Sequence, residues 1–308
     1  MLTPQLQNAL LHSLQEKVRL DEPMRKHTSF RIGGPADALI IPHGEDELKR
    51  IVEFARHNTI PVTIVGSGTN LLVSDDGIPG IVIKVAGCLD NVTFSGREVS
   101  AGAGCSLARL SNLAADYGLA GIEFAVGIPG ALGGAVTLNA GARGASIGDL
   151  VRRIRVIDFK GEPAELTGDD VRFGYRKSEV KSRNVIVLSA VLELEPGNTA
   201  EIKGEMREYL RQRRMKQPLG LPSAGSIFKN PKDDHAGRLI EECGCKGMRV
   251  GDAQVSGLHA NFIVNKGNAT AQDVLRLMSK IREAVLVKYG IELEPEIHIM
   301  GKGMETVT

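Results

Sequence analysis

The chain has 308 residues, and its 38 Lys and Arg against 37 Asp and Glu leave a formal net charge of +1, which provides no global field for nucleic acid or an anionic membrane. A hydrophobic content of 42% with 36 glycines fits an α+β or α/β enzyme with a sizeable core and many tight backbone turns. No apolar run approaches the roughly 20 residues that a bilayer requires, and residues 1–16 have no signal-peptide pattern, so neither a membrane span nor export is expected.

Residues 4–16 read as an amphipathic helix with Leu6, Leu10 and Leu14 on one side. A basic extended stretch then leads into His27-Thr28-Ser29-Phe30-Arg31-Ile32-Gly33-Gly34-Pro35. A strand at 36–41, a helix at about 45–57 and a strand at 61–65 form a βαβ unit, the helix burying Leu48, Ile51, Val52 and Ala55. A strand at 81–85 and a β-rich patch to 101 follow. Ser106 is an N-cap for a helix running to 117, with Leu107, Leu110, Leu113 and Ala114 inward. After a glycine-rich stretch at 126–143, strands are expected at 153–159, 164–166 and 185–194, the first two joined by Lys160-Gly161. This half is expected to be one domain, 1–197, with subdomains at about 1–86 and 87–197. The remainder, 198–308, reads as a second α+β domain. It has a basic helix at 199–215, a strand at 226–228, a short helix at 236–243, a strand at 262–264, a helix at 271–289 and a final strand at 291–300. The last stretch, about 291–308, is a candidate to return to the N-terminal subdomain.

Cys88, Cys105, Cys243 and Cys245 offer one Cys-x-Cys and no His at finger spacing. Neither a zinc site nor a disulfide scaffold is expected, and reduced cysteines in the cytoplasm are the plain reading.

Three glycine clusters carry the cofactor reading. The first, Val65-Gly66-Ser67-Gly68-Thr69-Asn70-Leu71-Leu72, lacks the third glycine of a dinucleotide fingerprint, no helix pattern follows it, and no Gly-Lys-Ser/Thr makes it a P-loop. A tight turn presenting backbone N–H groups with the Ser67 and Thr69 hydroxyls suits pyrophosphate; an ordinary strand-to-loop turn is the alternative. The second cluster runs from Gly121 through Gly127, Pro129, Gly130, Gly133, Gly134 and Ala135 to Asn139-Ala140-Gly141-Ala142. Small residues this dense let the backbone approach a flat ligand, or let a Gly/Ala helix pack tightly on a sheet. The third sets Arg31 beside the Gly33-Gly34 turn. In this order the clusters resemble, over roughly 28–195, the FAD-binding domain of vanillyl-alcohol oxidase-type flavoproteins. The resemblance implies FAD held between two α+β subdomains, its pyrophosphate on the 66–70 loop. It places FAD contacts at Arg31, Gly33 and Gly34, at Gly66, Ser67, Gly68, Thr69, Asn70 and Leu71, and at Gly127, Pro129, Gly130, Gly133, Gly134, Ala135, Asn139, Gly141 and Ala142.

Three further motifs lie downstream: Phe173-Gly174-Tyr175-Arg176-Lys177-Ser178, Ser223-Ala224-Gly225-Ser226-Ile227-Phe228-Lys229-Asn230-Pro231 and Leu293-Glu294-Pro295-Glu296-Ile297. Singly, Arg176 reads as a surface cation, Ser226 as a turn residue and Glu296 as a strand-edge charge. Together, from His27 to Gly301, they are similar to the bacterial UDP-N-acetylenolpyruvoylglucosamine reductase family, in its shorter type without an additional tyrosine loop. That resemblance implies reduction, with NADPH as hydride donor and non-covalent FAD as relay, of the enolpyruvyl group of UDP-N-acetylglucosamine-enolpyruvate for peptidoglycan synthesis. It implies that Ser226 donates a proton, that Arg176 and Glu296 stabilise the charged intermediate, and that Tyr175 and Asn230 contact substrate; Lys216 is a candidate for the UDP diphosphate from its position just before the serine segment.

Arg211, Arg213, Arg214 and Lys216 crowd the end of the long helix, where a solvated basic end favourable to the dipole is the alternative to diphosphate binding. His259 and Asn261 read either as site liners or as satisfied structural groups. The rival functions are a flavin oxidase or dehydrogenase of the same superfamily, and a non-catalytic flavin or nucleotide-sugar binder. The first would often tether FAD through His or Cys, and neither His27 nor Cys105 sits in a clear attachment motif. The second would leave Tyr175, Arg176, Ser226 and Glu296 without a purpose.

Overall fold

The computed structural model describes residues 2–14, 18–167 and 170–304. The elements in chain order are α1 (Pro4–Leu14), β1 (Val18–Pro23), β2 (Pro35–Ile40), α2 (Glu45–His57), β3 (Val62–Val65), β4 (Leu71–Val73), β5 (Ile78–Lys84), β6 (Val92–Ser95) and β7 (Glu98–Gly102). There follow α3 (Leu107–Asp116), β8 (Leu119–Ala120), α4 (Leu132–Leu138), β9 (Gly141–Ala142), β10 (Ala145–Ser146), β11 (Val151–Asp158), β12 (Pro163–Thr167), β13 (Phe173–Gly174), β14 (Lys177–Ser178), β15 (Val185–Glu193) and β16 (Glu195–Pro196). The chain ends with α5 (Thr199–Lys216), α6 (Ala236–Glu242), β17 (Arg249–Val250), β18 (Ala253–Val255), β19 (Ile263–Asn265), α7 (Ala271–Tyr289) and β20 (His298–Met300). The expected first helix is present to Leu14; its residues 15 and 16, and 305–308 of the expected C-terminal stretch, lie outside the described residues.

Residues 1–20, 38–67 and 80–213 form one compact unit, and 21–37, 68–79 and 214–308 another. In the first unit, β12-β11-β15-β7-β6 make an antiparallel sheet with Ile154 opposite Ala190 and Ala190 opposite Ala101. Its apolar face packs with α3 and α4 around Leu107, Leu110, Leu132, Val136 and Leu192. Ser106 caps α3 by accepting the Arg109 amide, as its sequence position predicts, while Ala115 is buried in place of the half-exposed Leu113. A second core in this unit joins α1 and α2 to β3 and β5, which pair in parallel. α2 starts on Glu45, Asp46 and Glu47 and ends on Arg56 and His57, a charge order that suits its dipole.

The second unit is organised by α7. Its stripe Val274, Leu277, Met278, Ile281 and Val285 is buried, each side chain worth about 1.5–3 kcal/mol of transfer free energy. Thr270 and Asp273 form a capping box at its start, and the Asp75 carboxylate accepts the next two amides, of Ala271 (2.9 Å) and Gln272 (3.2 Å). β17, β18 and β19 form an antiparallel sheet, and β20 pairs in parallel with β4.

Two expected strands are corrected. Residues 226–228 form only single bridges, Ser226 to Phe262 and Phe228 to Pro295, because alternate residues pair with different neighbours and no ladder develops. In the stretch expected as a strand at 291–300, only 298–300 is regular; Pro295 has no N–H to continue a ladder.

Candidate active site

Arg176 occupies the second position of a two-residue turn between β13 and β14, with Phe173 opposite Ser178 and Gly174 opposite Lys177. Its φ is +55°, a left-handed conformation that costs a non-glycine residue about 1–2 kcal/mol. Strain of this sort concentrates where a side chain must be aimed. The guanidinium lies over the ring of the exposed Tyr175, 5.1 Å from its centroid. Arg176 and Tyr175 thus stand together on one turn, in the first unit.

Ser226 and Glu296 stand in the second unit, on neighbouring segments. The Glu296 amide donates to the Ile227 carbonyl (2.8 Å), and the Lys229 amide to that of Glu294 (2.9 Å). Gly225, with φ +80°, turns the chain immediately before the serine. Asn261 holds the serine segment from the other side. Its carbonyl accepts the Ile227 amide (2.9 Å), its Oδ1 accepts the Phe228 amide (3.0 Å) and its Nδ2 donates to the Phe228 carbonyl (2.8 Å). The side-chain amide of Asn261 therefore replaces a strand partner, so the structural reading holds for it. Asn70, expected among the FAD contacts, gives its Nδ2–H to the Glu296 carbonyl (3.1 Å) and accepts the His298 amide on its own carbonyl (2.8 Å). Asn230, expected at the substrate, accepts the Ala236 amide at the start of α6 (3.1 Å). Lys216 is the exposed last residue of α5.

His259 is a structural group. Its Nδ1 accepts the Asn261 amide (3.2 Å), which fixes the neutral tautomer, and its ring meets Phe262 edge-on. Burial, reinforced by the nearby Lys246 charge, lowers its pKa below the usual histidine value. The unfolded chain then takes up the proton more readily, so the stability this site contributes is present above about pH 6.5 and is lost as pH falls below it. The urea midpoint should drop between about pH 7 and pH 5, and His259→Gln should flatten that drop. An unchanged slope in the variant would contradict the assignment.

The glycines of the three clusters fall into two kinds. A Cβ on Gly34 would lie 2.0 Å from the Asp75 carbonyl oxygen, one on Gly68 2.0 Å from that of His27, and one on Gly141 2.5 Å from that of Ala145. A Cβ on Gly133 would meet that of Ala103 at 2.9 Å, and one on Gly33 that of Val73 at 2.8 Å. Close packing within the protein accounts for all five. Gly134 is different: it is exposed in the first turn of α4 and a Cβ there would meet nothing within 4 Å. Gly66 would meet only the Ala131 Cβ, at 3.8 Å. Among the described residues, no neighbouring atom requires glycine at these two positions.

The long basic helix also divides. Arg211 forks onto Glu208 (2.7 Å) in solvent, as the solvated-end reading has it. Arg213 instead stands at helical spacing from the buried Ile202 and Met206 and the half-buried Tyr209, its Cδ 3.4 Å from where a Cβ on Gly127 would sit. Burial lowers its pKa. A guanidinium held at that cost beside the small-residue loop is a site candidate. Sequence reading placed it in the cluster with Arg211; its signal was the i, i+4, i+7, i+11 spacing from Ile202, which makes it the cationic end of an apolar stripe.

A model for the C-terminal domain of UDP-N-acetylenolpyruvoylglucosamine reductase matches residues 217–300, and an FAD-binding-domain model matches 36–167. The UDP-N-acetylenolpyruvoylglucosamine reductase of Caldanaerobacter subterraneus subsp. tengcongensis is 48% identical to this chain, over 93% of it and 94% of the relative. The chain belongs to the UDP-N-acetylenolpyruvoylglucosamine reductase family. The reductase of Desulforamulus reducens is 43% identical over 98% of this chain and 100% of its own. Among solved structures, the reductase from Thermus caldophilus matches with a TM-score of 0.78 at 37% identity, covering 92% of this chain and 98% of that one. The family and the α+β architecture expected from sequence, an FAD-binding domain followed by the reductase C-terminal domain, are therefore both borne out.

The residues present fit the cofactor of that family. Gly66 closes β3 and Gly134 opens a face of α4, each leaving the space that a Cβ would take; Ser67 adds a hydroxyl beside the first. Backbone this bare suits a flat ring system and a phosphate-bearing chain better than a substrate held by side-chain contacts.

Proposed function

We propose that the chain catalyses the NADPH-dependent reduction, through FAD, of UDP-N-acetylglucosamine-enolpyruvate to UDP-N-acetylmuramate for peptidoglycan synthesis. What carries the reading is near full-length similarity to reductases of that name, spanning both the FAD-binding and the C-terminal models. FAD, held by the glycine-rich loops, would supply two-electron redox chemistry between NADPH and the enolpyruvyl group. The protein's own groups deal with what the substrate then becomes.

Hydride addition at C3 leaves negative charge at C2, spread into the adjoining carboxylate as an enolate. Arg176 provides a fixed cation for that charge, and a preorganised donor of this kind is worth about 3–4 kcal/mol in the transition state. The Ser226 hydroxyl delivers the proton to C2, which completes the net addition of two hydrogens; the serine oxygen regains its proton from a neighbour or water. Glu296 supports the intermediate as a hydrogen-bonding partner. Tyr175, Lys216 and Asn230 contact the nucleotide-sugar, and the open glycine positions together with Arg31, Gly33, Gly34 and the 66–71 loop hold FAD. In this reading residues 1–197 serve the cofactor and 198–308 the substrate. No helix of the described residues is long and apolar enough to cross a membrane, and the reaction belongs to the cytoplasm, where NADPH is supplied.

The test is product analysis. Incubation with FAD, NADPH and the enolpyruvyl sugar should consume NADPH and sugar in equal amounts and yield a product heavier by two hydrogens. NADPH consumption that needs oxygen and leaves the sugar intact would favour the oxidase reading instead.

A further inference from the structure

The turn that presents Arg176 cannot hold itself. β13 and β14 contribute two paired residues each, and so short a hairpin is not stable alone. Both of its arms are tied to the last turn of α4. Ser178 Oγ donates to the Thr137 carbonyl (2.8 Å) on one side. On the other, Asn139 Nδ2 donates to the carbonyl of Gly174 (2.9 Å), the residue just before Tyr175-Arg176. Asn139 Oδ1 accepts the Gly148 amide (2.8 Å), so the buried amide group is engaged at both ends. Asn139 itself closes α4 in the left-handed conformation, with φ +46°. Gly148 lies against the hairpin too: a Cβ there would stand 2.5 Å from Phe173 Cγ. The same short helix carries the open position at Gly134.

We propose that Asn139, with Ser178, is a positioning residue for Arg176, tying the cation's turn to α4 so that the guanidinium is already aimed when charge develops on the substrate. The inference rests on Arg176 being the cation of the reductase reaction. It gives Asn139 a role distinct from the FAD contact expected of it.

Asn139→Gly is the informative variant, because glycine takes φ +46° without penalty and removes only the amide. Deuterium exchange across 173–178 should quicken, and recovery of the flavin colour on adding the enolpyruvyl sugar should slow by about 10- to 100-fold, the scale of a misplaced catalytic group. In an Arg176→Ala background the same change should cost less than about 2-fold, since residues that act as one unit are not additive. Ser178→Ala should show the same pattern more weakly, which keeps the test available if Asn139→Gly folds poorly. Equal slowing with and without Arg176, or quickened exchange with an unchanged rate, overturns the proposal. If Arg176→Ala alone reacts at the wild-type rate, the premise about Arg176 has failed, and that single variant reports it separately.

Discussion

Ser226→Ala is expected to bleach normally with NADPH and to recover its colour about 10²–10⁴-fold more slowly than the wild type when the enolpyruvyl sugar is added. The asymmetry follows from the chemistry. Reduction by NADPH requires no proton at C2, whereas the sugar cannot become product without one. The fold should tolerate the change, because the Ser226 segment is held through backbone groups: the Ile227 amide on the Asn261 carbonyl, both Phe228 groups on the Asn261 side chain, and the Ile227 carbonyl on the Glu296 amide. Stopped-flow absorbance under anaerobic conditions separates the two half-reactions. Equal slowing of both would remove Ser226 from the proton-donor role.

Substitution at Gly134 should move stability and cofactor affinity in opposite directions. Gly134→Ala adds a Cβ where there is open space, and alanine favours the helix, so the apoprotein should gain up to about 1 kcal/mol. Gly134→Leu fills the same space more fully. If FAD lies against this face, the side chain must be displaced or the ring lifted, an overpacking cost of about 1–3 kcal/mol, or roughly 5- to 150-fold in affinity. Urea denaturation of the apoprotein and titration with FAD measure the two effects separately. FAD binding undiminished in Gly134→Leu would place the ring elsewhere. At Gly133 the outcome should differ, since its Cβ would meet that of Ala103 at 2.9 Å and the apoprotein itself should lose stability.

How much was legible in the sequence depended on length and on the partner. α2 and α7 run over the residues expected of them, 45–57 and 271–289, because end charges or caps agreed with a 3.6-residue apolar stripe. The two-residue strands β8, β9, β10, β13, β14, β16 and β17 left no trace, since two residues show no period. The glycine-rich stretch supported two readings, and adjacent residues divide them: Gly133 packs α4 tightly within the protein, while Gly134 keeps a face open. Ser226 and Glu296 lie on neighbouring segments although 70 positions apart, a pairing set by long-range backbone bonds that no local pattern encodes. Asn139 was equally hidden, its partner Gly174 being 35 residues away. Arg213 could have been found: counting helical positions from Ile202 puts it on the covered side.

The central claim, that one bound FAD carries electrons from NADPH to the enolpyruvyl sugar, is tested most directly by an anaerobic visible spectrum. The purified protein should show an oxidised flavin band that bleaches on adding NADPH and returns on adding UDP-N-acetylglucosamine-enolpyruvate, with oxygen absent throughout. A band that bleaches but returns only when oxygen is admitted would keep the flavin fold and contradict the substrate. A protein that takes up no flavin even on reconstitution would contradict the account at its root.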